Sequence, residues 1–124
     1  MNRIVLIGIA GLMGTLGRYW LSGLADERLG GRFPVGTVLV NLIGCFAVGF
    51  LFHLTAEKYV IDPTLRTAIL VGFLGGFTTF SSFGIQTFNL FRDGQMLLAG
   101  ANILVSNVAG LLLVWAGYAA ARGL

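Results

Sequence analysis

The chain has 124 residues, of which 56% are hydrophobic and only 10% are charged, whereas soluble domains carry about 25% charged residues. This composition excludes an ordinary soluble domain and predicts an integral membrane protein with a single domain over residues 1–124. The eight Lys and Arg residues are scattered and there is one cysteine, which argues against a nucleic-acid-binding patch, an internal disulfide and a cysteine-rich zinc site.

Four apolar segments reach the roughly 20 residues that a helix needs to cross a bilayer. They cover residues 4–24, 35–54, 65–91 and 96–121. The first segment resembles a signal peptide, but Arg18 stands where a small-residue cleavage site would be expected, so we interpret it as the first transmembrane helix. The connections are short, which leaves no room for a soluble catalytic domain outside the membrane.

Basic residues hardly distinguish the two sides of this four-helix arrangement. One side would hold four Lys or Arg residues and the other three, and the orientation of a membrane protein normally follows such a bias. Two arrangements therefore stay open. The chain either inserts in both orientations and pairs as an antiparallel dimer, or it inserts in a single orientation. Four helices are too few to enclose an aqueous path, so we expect a pore or pocket between the subunits of an oligomer, and two-fold dimers are common.

Polar side chains are rare in the first two segments, and such groups are the default functional candidates inside a membrane. Arg18 in the first segment either has a structural role or attracts anions in a vestibule. Asn41 lies midway along the second segment. Its side chain either makes a hydrogen bond between helices or donates one to an ion.

The third segment is longer than one crossing needs and contains GFLGGFTTFSSF, residues 72–83. Glycines weaken a helix, and the hydroxyls of Thr and Ser can satisfy backbone groups that leave it. We therefore predict a broken third helix, with the break near residues 75–79. Freed carbonyls there could coordinate a small alkali cation; the alternative is a close glycine-rich helix crossing without an ion.

Phe80 and Phe83 follow the predicted break and lie three residues apart, so they share a helix face. They either face lipid or, because ring edges carry partial positive charge, line a path for a small anion together with Asn41 and Ser106. On the fourth segment, Asn102 and Ser106 share a face that Gly110 continues, whereas Asn107 points elsewhere.

No Asp or Glu occurs inside the four segments. Proton-coupled carriers, such as the small multidrug resistance transporters of similar length, depend on a titratable carboxylate in the membrane. An enzyme is also disfavoured, because Ser81 or Ser82 with His53 would lack a supporting acid. The chain is predicted not to be an enzyme.

The sequence resembles the CrcB/Fluc fluoride channels over essentially its whole length. Three motifs carry the resemblance, in order and at family-like spacing: GTLGR (14–18), GTVLVNLIG (36–44) and GFLGGFTTFSSF (72–83). The resemblance implies an antiparallel, dual-topology homodimer in a bacterial inner membrane. It also implies passive fluoride export that lowers fluoride toxicity, with a central structural sodium ion.

The resemblance also implies roles for single residues. These are main-chain sodium coordination for Gly75 and Thr78, the fluoride path for Asn41, Thr79, Phe80, Phe83 and Ser106, and a vestibule or structural position for Arg18. Two positions depart from the family pattern, since Gln86 stands where many relatives have Glu and Gly110 where some have Ser. The alternatives to a fluoride channel are a proton-coupled exporter of small molecules and a structural membrane partner of other proteins.

Overall fold

The computed structural model describes residues 2–124, and within them it is helical throughout apart from short connections. Four helical segments in this part of the chain are long and apolar enough to cross a membrane, and we call them the first to fourth spans: Arg3–Leu29, Val35–Lys58, Pro63–Arg92 and Met96–Arg122. The predicted all-helical architecture with four membrane-length helices is therefore confirmed.

The first span is longer than the predicted segment, because the helix continues through Asp26 to Leu29. The charged residues between 26 and 28 are compatible with a helix, so the apolar pattern ends before the helix does. At Gly30 the backbone becomes extended, and its amide donates to the Asp26 carbonyl oxygen at 2.8 Å. Arg18 therefore lies near the middle of the first span.

Capping residues explain where several helices begin. Asn2 Oδ1 accepts a hydrogen bond from the Ile4 amide at 2.7 Å. Asp62 caps the third span and is followed by Pro63 at the first helical position, where proline loses no hydrogen bond. These side chains satisfy amides that have no partner within the helix. The second, third and fourth spans each contain one short π-helical stretch, at His53–Lys58, Ala68–Phe73 and Val105–Ala109 respectively.

Glycines bring the spans into close contact. A Cβ at Gly14 would overlap the Phe73 carbonyl oxygen, and one at Gly49 would overlap the Val114 carbonyl oxygen. The first span thus packs directly against the third, and the second against the fourth. Close backbone approach through small residues is a normal way to associate helices in lipid, where helices gain little from hydrophobic burial.

The helical backbone of the third span is interrupted at Thr78 and Thr79, which we call the junction. Leu74–Phe77 is the last helical stretch before it, and Phe80–Arg92 follows it. Thr78 has φ −97° and ψ 159°, and Thr79 has φ −150° and ψ 119°, so both are extended. The two residues separate the two helical parts of this span and leave backbone groups to be satisfied by other partners.

Candidate functional site

A cavity of about 330 Å³ lies beside the junction, between the second, third and fourth spans. We call it the junction cavity. Its lining combines small, polar and aromatic residues: Asn41, Gly44, Cys45, Val48, Leu70, Leu74, Gly75, Thr78, Thr79, Phe80, Phe83, Ser106 and Asn107. Seven of the eight site residues that the resemblance suggested lie in this lining, and the eighth is Arg18.

Asn41 contacts the junction through both ends of its amide. Its Nδ2 donates to the Thr79 carbonyl oxygen at 2.9 Å, and its Oδ1 accepts from the Thr79 amide at 2.7 Å. A backbone amide can only donate, so Oδ1 must face it, and the orientation of the Asn41 side chain follows. One N–H of Nδ2 is not used in this pair and is the donor that Asn41 has left for a ligand.

Thr79 also caps the helix that begins at Phe80. Its Oγ1 accepts from the Ser82 amide at 3.2 Å and lies 3.0 Å from Ser82 Oγ, to which it donates. The side chain therefore satisfies one of the free amides at the start of that helix. Thr79 lines the junction cavity, and its backbone and its hydroxyl both have partners within the protein.

Phe80 and Phe83 lie side by side on the wall of the junction cavity. Their ring centroids are 5.5 Å apart with an interplanar angle of 41°. Phe83 is half-buried, whereas Phe80 is 80% exposed in the single chain. The predicted shared face is confirmed by this contact, and both rings line the same cavity as Asn41.

Ser106 reaches the same cavity from the fourth span, and it is held by buried neighbours. Its hydroxyl donates to Asn102 Oδ1 at 3.1 Å, and Asn102 Nδ2 donates to Thr87 Oγ1 at 2.8 Å. The Asn102–Ser106 face predicted from the four-residue spacing is therefore confirmed. Asn107 instead donates to the Ile103 carbonyl at 2.8 Å.

Gly75 and Thr78 lie at the C-terminal end of the helical stretch that precedes the junction. In a continuous helix the Thr79 amide would donate to the Gly75 carbonyl, but here it donates to Asn41. The Gly75 carbonyl oxygen therefore lacks its usual partner. The Thr78 amide and the Thr78 hydroxyl both donate to the Leu74 carbonyl oxygen, each at 3.0 Å. The carbonyl of Thr78 belongs to the extended backbone of the junction.

Arg18 contacts the same junction from the first span. Its Nε donates to the Gly76 carbonyl oxygen at 3.1 Å. Gly76 lies in the last turn of its helix, where carbonyls lack partners, and a cation at a helix C-terminus is favourable. The sequence left a structural role and a vestibule position open for Arg18, and its contact with Gly76 joins the first span to the third.

A second, more polar cavity of about 660 Å³ lies where the first connection meets the end of the third span. Asp26, Arg32, Asn89 and Asp93 contribute to its lining. Gln86, one of the two departures from the family pattern, also lines it, and its Oε1 is buried without a hydrogen-bond partner among residues 2–124. Gly110, the other departure, packs on Cys45, since a Cβ there would come within 3.3 Å of Sγ.

His53 is not paired with a serine. Its Nδ1 lies 2.8 Å from Glu57 Oε2, which also accepts from the Tyr118 hydroxyl at 2.6 Å. Ser82 instead contacts Thr79. A Ser–His nucleophile pair is thus not formed in the described part of the chain.

Thr87 was not predicted from the sequence; it is 7% exposed and joins the third span to Asn102. One available signal was its position: Thr87 follows Phe83 by four residues, the spacing at which a threonine hydroxyl bonds a helix carbonyl. Its Oγ1 does donate to the Phe83 carbonyl, at 2.7 Å. Nothing in the spacing alone, however, indicated that Asn102 would meet it from another span.

Comparison with known proteins agrees with the motifs. A family model described as CrcB-like protein, Camphor Resistance (CrcB), matches residues 5–118. A protein of Geobacter sp. (strain M21) is 48% identical over 124 residues, with all of both chains covered, and is named "Fluoride-specific ion channel FluC". Proteins with the same name from Citrifermentans bemidjiense and Pelobacter propionicus are 48% and 47% identical over 124 residues, covering all of this chain and 100% and 96% of the relative.

Ion channels are not enzymes, so these names confirm the prediction that the chain has no enzymatic role. Together with the four apolar spans, they also establish a multi-pass membrane protein. The match covers nearly the whole chain and the identity is far above the level at which family membership is uncertain, so the chain belongs to the CrcB family.

Proposed function

We propose that this chain forms a fluoride-specific channel that exports fluoride from the cytoplasm by passive diffusion and so reduces fluoride toxicity. The observation that carries the proposal is the name of its relatives, which are up to 48% identical over the full chain. The junction cavity supports it, because amide and hydroxyl groups and two aromatic rings line one space of about 330 Å³.

An anion in this cavity would meet weak, distributed partners. Asn41 has one N–H left after its pair with Thr79, and the edges of Phe80 and Phe83 carry partial positive charge. None of the lining residues in the described part of the chain is a Lys or Arg, so no full positive charge holds the ion. Conduction requires binding that still permits exit, and this lining suits that requirement.

The lining also suits an uncoupled path. None of the residues around the junction cavity, among those described, is an Asp or Glu. A carboxylate would repel an anion and would be needed for coupling to protons. The proton-coupled exporter that the sequence left as an alternative therefore has no group in this cavity to carry the proton.

We propose an antiparallel homodimer as the working assembly, with the chain inserted in both orientations in a bacterial inner membrane. Phe80 lines the cavity and is nevertheless 80% exposed, so the cavity is open on one side in the single chain. A second copy packed there would close it.

The four-to-three distribution of basic residues is compatible with dual topology. Tags on either terminus should be reached from both membrane faces, and labelling from one face alone would refute this arrangement.

A structural sodium ion at the junction is part of the same proposal. The fit is favourable, because the Gly75 carbonyl has lost the Thr79 amide to Asn41 and Thr78 is extended. Carbonyl oxygens are the ligands that alkali cations prefer, and the C-terminal end of a helix favours positive charge. Gly75 and Thr78 would hold the ion through their main-chain oxygens, and its charge would offset the partial negative charges gathered there.

The decisive experiment is ion efflux from liposomes that contain the purified protein. A fluoride electrode and a chloride electrode follow the release of each anion after the membrane potential is short-circuited with valinomycin. Rapid fluoride release with little chloride release is expected. An absence of fluoride release, or equal release of both anions, would contradict the proposed function.

A further inference from the structure

A chain of three hydrogen-bonded polar side chains extends from the wall of the junction cavity into the protein. Ser106 lines the cavity, whereas Asn102 is 1% exposed and Thr87 is 7% exposed. The Ser106 hydroxyl contacts Asn102 Oδ1 at 3.1 Å, Asn102 Nδ2 contacts Thr87 Oγ1 at 2.8 Å, and Thr87 Oγ1 contacts the Phe83 carbonyl at 2.7 Å. The chain therefore connects one cavity residue on the fourth span to the backbone of another on the third.

The direction of every hydrogen bond in this chain is determined by its last member. The Phe83 carbonyl can only accept, so the Thr87 hydroxyl must donate to it. Thr87 Oγ1 then accepts from Asn102, which places the amide nitrogen of Asn102 at Thr87 and its oxygen at Ser106. Because this oxygen can only accept, the Ser106 hydroxyl must donate to it.

This direction decides what Ser106 offers to the cavity. Its proton is committed to Asn102, so the resting hydroxyl presents lone pairs, which do not attract an anion. Donation to an anion requires the proton to leave Asn102 Oδ1. A bond between neutral groups contributes little net free energy, so an anion that forms strong, charge-assisted hydrogen bonds can take the proton. A larger halide of lower charge density competes less well.

We propose that Asn102, set in place by Thr87, is a positioning residue that makes Ser106 a donor available to fluoride but not to chloride. The inference rests on the proposed fluoride function and deepens it, because it assigns part of the anion preference to two residues outside the cavity. Both residues act through Ser106. Removing Asn102 frees the Ser106 proton directly. Removing the Thr87 hydroxyl lets the Asn102 amide rotate, so that its oxygen is no longer held toward Ser106; in both cases the Ser106 hydroxyl can donate to any halide.

The main test compares three threonine variants of the full-length protein in liposomes, with fluoride and chloride efflux measured for each. Thr87→Val removes the acceptor of the Asn102 amide, and we expect the fluoride-to-chloride rate ratio to decline about fivefold, the factor equivalent to one ordinary net hydrogen bond. Thr87→Ser keeps the hydroxyl and should restore the ratio.

Thr55→Val is the matched control for this comparison. Thr55 is also 7% exposed and also donates to the carbonyl four residues before it, at 2.7 Å. It lies outside the junction cavity, so its replacement should leave the ratio unchanged. An equal ratio in Thr87→Val and the wild type, or a decline that Thr87→Ser fails to restore, would overturn the inference.

A second test asks whether Asn102 acts through Ser106. If it does, Asn102→Leu should lower the ratio in the wild-type background and have no further effect when Ser106→Ala is already present. Independent effects of the two substitutions would indicate a merely structural Asn102 and refute the inference; if Asn102→Leu does not fold, the threonine series still decides. A wild type without fluoride efflux would instead contradict the proposed function itself, and the inference with it.

Discussion

Asn41 and Thr79 bind each other through two hydrogen bonds that join the second span to the junction of the third. The Asn41 amide donates to the Thr79 carbonyl at 2.9 Å and accepts from the Thr79 amide at 2.7 Å. The side chain thus replaces helical partners that the extended backbone of Thr79 cannot have. It also withholds the Thr79 amide from the Gly75 carbonyl. The Asn41 side chain therefore both stabilises the junction and leaves the Gly75 carbonyl free for the proposed ion.

Asn41→Leu should destabilise the protein and abolish fluoride efflux. Leucine has a similar shape but leaves the Thr79 amide and carbonyl without a partner, at roughly 1–3 kcal/mol for each unsatisfied group. Thermal unfolding in detergent measures the loss. Asn107→Leu is the control for stability, because Asn107 is exposed and bonds only the Ile103 carbonyl. Equal unfolding temperatures for the two variants would show that the Asn41–Thr79 pair contributes nothing to stability.

Phe80→Ile and Phe83→Ile should each reduce fluoride efflux, by up to about tenfold, while the protein stays folded. Isoleucine keeps an apolar side chain but has no ring edge to offer an anion. The control is Phe91→Ile, an exposed phenylalanine on the same helix that does not line the junction cavity. Efflux at the wild-type rate in both cavity variants would remove the aromatic pair from the proposed pathway.

Gly14→Ala should destabilise the packing of the first span on the third. The added methyl group would overlap the Phe73 carbonyl oxygen, which is backbone and cannot move without shifting a helix. We expect a loss of about 1–3 kcal/mol, as for other overpacked interiors. Gly8→Ala is a matched control in the same helix, since a Cβ there meets nothing within 4 Å. Unfolding temperatures that do not distinguish the two variants would contradict the close contact.

Sodium should raise the unfolding temperature of the wild-type protein relative to an organic cation such as N-methyl-D-glucamine, because a ligand bound only by the folded state stabilises it. Gly75→Ala should weaken this dependence without disrupting the single chain, since a Cβ at Gly75 meets nothing within 4 Å. It would instead project into the space proposed for the ion and the second copy. The same sodium response in the variant and the wild type would argue against a cation at this position.

Several parts of the site could be predicted from the sequence because they depend on spacing within one helix. Phe80 and Phe83 are in contact, and Asn102 and Ser106 share a hydrogen bond, as separations of three and four residues predict. The contacts of Thr87 with Asn102 and of Arg18 with Gly76 were not predicted, because in each case the partner lies on another span. Spacing within one helix carries no information about such partners.

Composition and motifs are properties of the chain alone, so the four apolar spans, the absence of carboxylates within the predicted apolar segments and the family could all be read from the residues. The bonds of Asn41 with the Thr79 backbone, of Arg18 with Gly76 and of Asn102 with Thr87 became visible only in the folded chain. Such pairing between helices depends on their relative rotation and depth. Here these are set by close backbone contacts at glycines such as Gly14 and Gly49.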